Sequence, residues 1–145
     1  MLHFFLVLVL LAASIQPSFA CSRDPSQPEP TDEDFFRQAS AVFLGRIYKT
    51  EESTETFDGR VEPMVIGTFR LIEVFKGQPP TDNTVRDPIP GPGNCGLMLQ
   101  AGVDYLFFLH SEMRNYVPWP NGSRGFFNTN ARDAKQLFDK LRALK

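Results

Sequence analysis

An apolar run near the N-terminus, Phe4 to Ala13, constrains the chain most, because it decides how much of the sequence is left to fold. Its ten residues are too few to span a bilayer as a helix. The polar stretch Ser14–Pro17 follows, and Ser18-Phe19-Ala20 then places small residues at the two positions that a signal peptidase reads. We therefore expect residues 1–20 to be a removable signal peptide and the mature chain to begin at Cys21.

This interpretation predicts a secreted or periplasmic protein, and two alternatives stay open. The residues before the apolar run, Met1-Leu2-His3, carry less positive charge than is usual in a signal peptide, and a membrane anchor is the first alternative for the same segment. Cys21 could also be acylated, as in a lipoprotein, although Ser18 stands where a lipobox usually has leucine. The rest of the sequence contains no second apolar run, so we expect no transmembrane segment in the mature protein.

The remaining 125 of the 145 residues, Cys21 to Lys145, are enough for one compact domain with its own core. All 15 basic and all 17 acidic side chains lie in this part, so its formal charge is −2. Without a run of basic residues the chain lacks the electrostatic footprint of a nucleic-acid-binding protein. The 14 phenylalanines stand mostly in apolar segments, which indicates core packing. We expect a monomer.

The chain has two cysteines, Cys21 and Cys95. In an exported protein an even pair predicts a disulfide, and closing a loop of about 75 residues stabilises a fold by on the order of 4 kcal/mol. Two free thiols, or a lipidated Cys21 with Cys95 left alone, are the alternatives. A bridge would fix the new N-terminus to the middle of the fold.

The hydrophobic pattern predicts a mainly β domain with a short helix before the strands and a longer one after them. Thr31 with three following acidic residues resembles a capped helix start, with the helix running through Gln38. The C-terminal helix, Arg132–Leu144, has one apolar stripe and a cap at Thr129 or Asn130. Strands are predicted over five segments: Ala39–Tyr48, Met64–Phe75, Thr84–Arg86, Leu97–Leu99 and Asp104–His110. Five strands and two helices in this length favour an OB-like closed barrel.

Loops and turns separate these elements. Gly45, inside the first strand, predicts a bulge or a sharp bend. Lys49–Arg60 is polar with Asp58-Gly59 at its tip, which is typical of a hairpin turn. Asp87–Gly96 carries three prolines and predicts a stiff, shaped loop. The stretch Asn115–Asn130 is also predicted as loop.

Few residues point to catalysis. His110 is the only histidine of the mature chain, and no Gly-x-Ser-x-Gly motif accompanies it, so we read it as a strand-end residue and do not expect an enzyme. A paired cysteine cannot complete a zinc site, so we expect no cofactor and no metal of the protein's own. The carboxylate pairs Glu51/Glu52 and Asp32/Asp34 fit a solvated loop and a helix N-terminus.

One ordered set of motifs is more specific. A mature start Cys21-Ser22, a strand ending in Gly45-Arg46-Ile47, a strand ending in Val74-Phe75-Lys76-Gly77, a Cys95-Gly96 pair and Leu99-x-x-Gly102-x-x-Tyr105-Leu106 follow one another. The order resembles the N-terminal inhibitory domain of the tissue inhibitors of metalloproteinases, within the netrin-like family. The resemblance covers the whole mature chain and implies an OB-type barrel. Arg23 stands where the animal inhibitors have a second cysteine, so this would be a single-disulfide member.

The resemblance also implies a site. In that family the N-terminal cysteine is bonded to the cysteine of the Cys-Gly pair, which here joins Cys21 to Cys95. The α-amine and carbonyl of the first residue chelate the catalytic zinc of the target protease, a role that falls on Cys21, and the side chain of Ser22 would enter the S1′ pocket. The segment Gly91, Pro92, Gly93 and Asn94 would form a second contact ridge.

The partner implied is a zinc metalloprotease, and the metal is the partner's own. Many netrin-like modules do not inhibit proteases, because a shared fold does not fix function. An extracellular binding or adhesion module is therefore the alternative function. It would use the barrel face or the loop Asn115–Gly125.

Overall fold

A computed structural model of the chain describes residues 26, 28–57, 60–89, 95–113, 115–117 and 121–145. The predicted signal peptide, Cys21, Ser22 and the predicted ridge Gly91–Asn94 lie outside these residues. In the part that is described, no helix is long and apolar enough to cross a membrane.

Within the described residues, five antiparallel strands form one sheet, and two helices accompany it. The helices are α1 (Asp32–Gln38) and α2 (Arg132–Ala143), and a short 3-10 turn spans Ser111–Met113. The strands are β1 (Ala41–Phe57), β2 (Arg60–Lys76), β3 (Thr84–Pro88), β4 (Asp104–Leu109) and β5 (Arg124–Phe126). Their order across the sheet is β3-β2-β1-β4-β5. The predicted mainly β domain with two flanking helices is thereby confirmed.

The predicted closure of the barrel is not confirmed, because β3 and β5 are the two edges of an open sheet in the part of the chain that the structure describes. β5 has only three residues, and all of them pair with β4. An isolated parallel bridge joins Arg86 of β3 to Tyr116. There the N–H of Arg86 donates to the carbonyl of Asn115 over 2.8 Å, and the N–H of Val117 donates to the carbonyl of Arg86 over 2.7 Å.

Five strands were predicted and five are described, but one of the predicted segments is not a strand. Leu97–Leu99 is not a strand, and β5 lies inside the stretch that was predicted as loop. β1 and β2 are also longer than predicted, because the polar segment after Tyr48 continues both strands as a hairpin. The irregularity predicted at Gly45 is present, since the register of β1 against β2 shifts between Leu44 and Gly45.

The sheet buries apolar side chains on both faces, because neighbouring residues of a strand point to opposite sides. Phe43 and Phe107 pack on one face, with ring centroids 5.2 Å apart, in a cluster that also includes Phe69. On the other face, β-sheet residues such as Phe75 pack against the two helices, where Phe75 and Phe138 stack at 5.9 Å.

The two helices begin differently. α1 has the predicted N-cap at Thr31, and the cap is a reciprocal capping box: the N–H of Asp34 donates to the Thr31 hydroxyl, and the N–H of Thr31 donates to the Asp34 carboxylate over 2.9 Å. The predicted side-chain cap of α2 was wrong. Its N-cap is Ala131, and the nearby Asn128 carboxamide oxygen instead accepts the N–H of Asn130.

Candidate functional site

Cys95 is the residue of the predicted site that the structure describes. It is disulfide-bonded, and no cysteine among the described residues is free. Its expected partner, Cys21, lies outside those residues, so the Cys21–Cys95 pairing stays a prediction. What the structure describes is the backbone that follows Cys95 and the side chains that hold it.

A buried carboxylate fixes the backbone that follows Cys95. Asp87, at the end of β3, is fully buried. Its Oδ1 accepts the N–H of Leu97 over 2.7 Å, and its Oδ2 accepts the N–H of Leu99 over 3.2 Å. Burial raises the pKa of Asp87, while these backbone donors, and that of Met98, act to lower it.

Tyr105 of β4 holds the same backbone a little further along. Its hydroxyl donates to the carbonyl of Met98 over 3.1 Å and accepts the N–H of Gln100 over 3.0 Å. Burial raises the pKa of this phenol, so it remains a donor at neutral pH. We call Cys95–Gln100 the clamped segment, because Asp87 and Tyr105 satisfy its backbone with buried side chains.

The clamped segment passes so close to β3 that Gly96 has no room for a side chain. A Cβ at this position would lie 2.2 Å from the carbonyl oxygen of Pro88 and 3.0 Å from Oδ1 of Asp87. Close contact with β3 therefore explains why the residue after Cys95 is a glycine. Two residues on, Met98 adopts a φ of 57° and is 61% exposed.

These hydrogen bonds explain why Leu97–Leu99 is not a strand. The amide groups of Leu97 and Leu99 donate to a carboxylate, whereas in a strand they would donate to a neighbouring strand. Sequence reasoning missed Asp87, and it named Tyr105 only as a motif residue without assigning it this role. The available signal was an acidic residue at the junction of a strand and a proline-rich loop, which indicates a turn as readily as a buried acceptor.

The other candidate groups have structural partners. Glu51 pairs with Lys49 over 2.8 Å on β1, so the predicted solvated loop is in fact a strand. The acidic residues of α1 are in its first turn as predicted, with Asp32 paired to Arg124. His110 follows the last residue of β4. Among the described residues, no group of three or more His, Cys, Asp or Glu side chains could hold a metal ion.

The sequence Asn121-Gly122-Ser123 matches the acceptor pattern for N-glycosylation, and its side chains form hydrogen bonds within the fold. The Asn121 amide nitrogen donates to the carbonyl of Phe108 over 2.9 Å, and the Ser123 hydroxyl accepts the N–H of Phe108 over 2.9 Å. Both side chains are buried. This turn therefore continues the hydrogen bonding of β4 with side-chain atoms, and the nitrogen that a glycan would need is engaged.

Comparison of the sequence with protein-family models and with curated proteins finds no match.

Proposed function

We propose that the mature protein is an exported inhibitor of a zinc metalloprotease, and that its N-terminal Cys21 chelates the catalytic zinc of the target. The observation that carries this proposal is the clamped segment. A disulfide-bonded Cys95 is followed directly by backbone that a buried Asp87 and Tyr105 hold in place. Such an anchor would present whatever is bonded to Cys95 at low entropic cost.

The chemistry of chelation fits a free N-terminal residue. An α-amine has an unperturbed pKa of about 7.7–8.0, so near neutral pH it can lose its proton and offer a lone pair to Zn²⁺. The amine and carbonyl of Cys21 would form a five-membered chelate and displace the water that the protease uses as nucleophile. Ser22 would then point into the S1′ pocket, with Gly91–Asn94 as the second contact.

The sheet order is compatible with an OB-like architecture as the scaffold. β1, β2 and β3 form a meander, β4 pairs with β1, and the bridge between Arg86 and Tyr116 brings the chain after β4 beside β3. Full closure into a barrel is part of the proposal, since the described sheet is open.

The test adds one alanine before Cys21 and measures inhibition of a zinc endopeptidase with a fluorogenic peptide. The extension converts the amine into an amide, which cannot ligate zinc in the same way, so inhibition should be lost while the thermal unfolding curve is unchanged. Intact-mass analysis must first show that the unextended protein begins at Cys21 without a lipid. Equal inhibition by both proteins would contradict chelation.

The competing function is an extracellular binding module without protease inhibition. The observation in its favour is Phe127, which follows β5 and is 90% exposed, because an aromatic side chain held in water is typical of a contact residue. Phe127→Ala should then weaken capture of a partner, and the mature protein should inhibit no zinc endopeptidase. Inhibition that depends on the free Cys21 amine decides for the first proposal.

A further inference from the structure

The outer edge of β1 is paired over only part of its length. β4 pairs with β1 from Ala41 to Arg46. The next residue, Ile47, accepts from the N–H of Gly102 over 2.7 Å and donates to the carbonyl of Val103 over 3.0 Å. β1 then continues to Phe57, and no described residue pairs with this edge beyond Ile47.

Along an antiparallel strand, the N–H and C=O groups of successive residues point alternately to one neighbouring strand and to the other, and this alternation identifies the backbone groups that face the open edge. The N–H of Phe69 in β2 donates to Asn83 on the β3 side, and Gly67, two residues away, faces the same side because an antiparallel strand alternates. Thr50 lies opposite Gly67, so its own N–H and C=O point away from β2. The same alternation directs the backbone of Glu52, Thr54 and Thr56 to the open edge.

The strand that carries the edge is held from its other side. Glu55 forms an ion pair with Arg86 of β3. Met64, which faces Ser53 across the hairpin, is buried, and it also pairs with Pro88. A strand that is already extended and fixed in place loses little conformational freedom when another strand is added.

Charge on the hairpin selects the partner. Residues 49–62 contain five acidic and two basic side chains, a net charge of −3, while the whole chain has −2. Glu52 is exposed on the open edge, and Glu55 lies directly opposite Glu62. A second copy of the chain, paired edge to edge, would bring two such acidic edges together, which is unfavourable. An extended segment with positive charge complements the edge.

We propose that the open edge of β1, from Thr50 to Thr56, binds an extended, positively charged segment of a partner protein as an added β-strand. Main-chain hydrogen bonds give the affinity in this mode, and Glu52 selects for basic residues. The proposal concerns a surface separate from the clamped segment and does not rest on protease inhibition.

The test titrates the ¹⁵N-labelled mature protein with the peptide acetyl-Thr-Lys-Val-Lys-Val-Lys-Thr-amide. Amide shifts and slower hydrogen exchange should appear at Thr50, Glu52, Thr54 and Thr56. Two control peptides separate the causes: one replaces lysine by glutamate, and the other replaces valine by proline, which keeps the charge but cannot form a ladder. Neither control should shift these amides.

Two variants test the edge directly. Thr54→Pro removes one outward N–H without touching the bonds to β2, and Glu52→Lys reverses the charge; each should weaken binding by about tenfold. Glu112→Lys, an exposed charge reversal on the 3-10 turn, is the matched control and should bind as the original does. Equal binding of the proline peptide, shifts confined to other strands, or no binding would overturn the proposal. If Thr54→Pro does not fold, Glu52→Lys decides.

Discussion

At the scale of single residues, Asp87 accepts hydrogen bonds from Leu97 and Leu99 in a place that water does not reach. Asp87→Ala leaves both N–H groups without this acceptor, so we expect the free energy of unfolding to fall by about 2–3 kcal/mol in urea titrations. Asp139→Ala is the control, because that carboxylate is 73% exposed in its ion pair with Arg142 and its removal should cost under about 1 kcal/mol. Equal effects would contradict the clamp.

The same residue predicts a pH dependence. Burial raises the pKa of Asp87 in the folded protein above its ordinary value of 3.8. A raised folded-state pKa means that the stability it contributes is complete below pH 3.8 and declines as the pH rises through the folded-state pKa. The cost of Asp87→Ala should therefore be larger at pH 3.5 than at pH 7, as measured by urea unfolding at both. A cost that grows with pH would contradict this assignment.

Gly96 makes a steric prediction. Gly96→Ala should destabilise the protein by about 2–3 kcal/mol, because the new methyl group meets the Pro88 carbonyl, which is backbone and cannot rotate away. Gly102→Ala is the control for backbone strain without a steric clash. Gly102 has a φ of 91° and open space around it, so this substitution should lower the free energy of unfolding by only about 1–2 kcal/mol. The test is thermal or urea unfolding of both variants, and a harmless Gly96→Ala would rule out the close approach.

At the scale of elements, the start of α1 depends on the reciprocal bonds of Thr31 and Asp34. Backbone and side-chain hydrogen bonds from Thr31, followed by that from Arg37, lower the pKa of Asp34 to about 2. Its contribution to stability is thus present above its ordinary pKa of 3.8 and is lost as the pH falls through about 2. Thr31→Ala should move the pKa of Asp34 upward and cost about 1 kcal/mol. An NMR titration of the carboxyl group measures the shift, and an unchanged pKa would contradict the cap.

The elements also show why sequence patterns predicted most of the fold but not all of it. The first part of β1, up to Tyr48, and the whole of β4 are apolar and rich in β-forming residues, and α2 has a helical apolar stripe, so the local pattern predicted them. β5 has three residues, one of them Gly125, which is too few to show the alternation of apolar and polar residues that identifies a strand. Leu97–Leu99 has a strand-like composition, but distant acceptors in Asp87 and Tyr105 override it.

At the scale of the whole molecule, the disulfide is predicted to link Cys21 to Cys95. Cys21→Ser and Cys95→Ser should each lower the free energy of unfolding by on the order of 4 kcal/mol. The double variant should lose no more than either single one, because both remove the same bond. Unfolding in urea measures all three, and additive losses would show that the two cysteines are not bonded to each other.

The site was predictable only in part, for a reason that belongs to the whole molecule. The Cys95-Gly96 pair is visible in the sequence, whereas the side chains that hold it come from β3 and β4 and meet only after folding. A short motif such as Cys-Gly identifies the segment but not the distant side chains that hold it. Those side chains are found once the hydrogen-bond acceptor of each backbone N–H in the irregular segment is identified.

The most direct test of the central claim observes the metal. The zinc of a target endopeptidase is replaced by Co²⁺, whose visible absorption bands depend on the number and type of its ligands, and the mature protein is added. If the amine and carbonyl of Cys21 chelate the metal, the bands should change, and the protein extended by one alanine should leave them as they were. Inhibition with an unchanged cobalt spectrum would contradict the account.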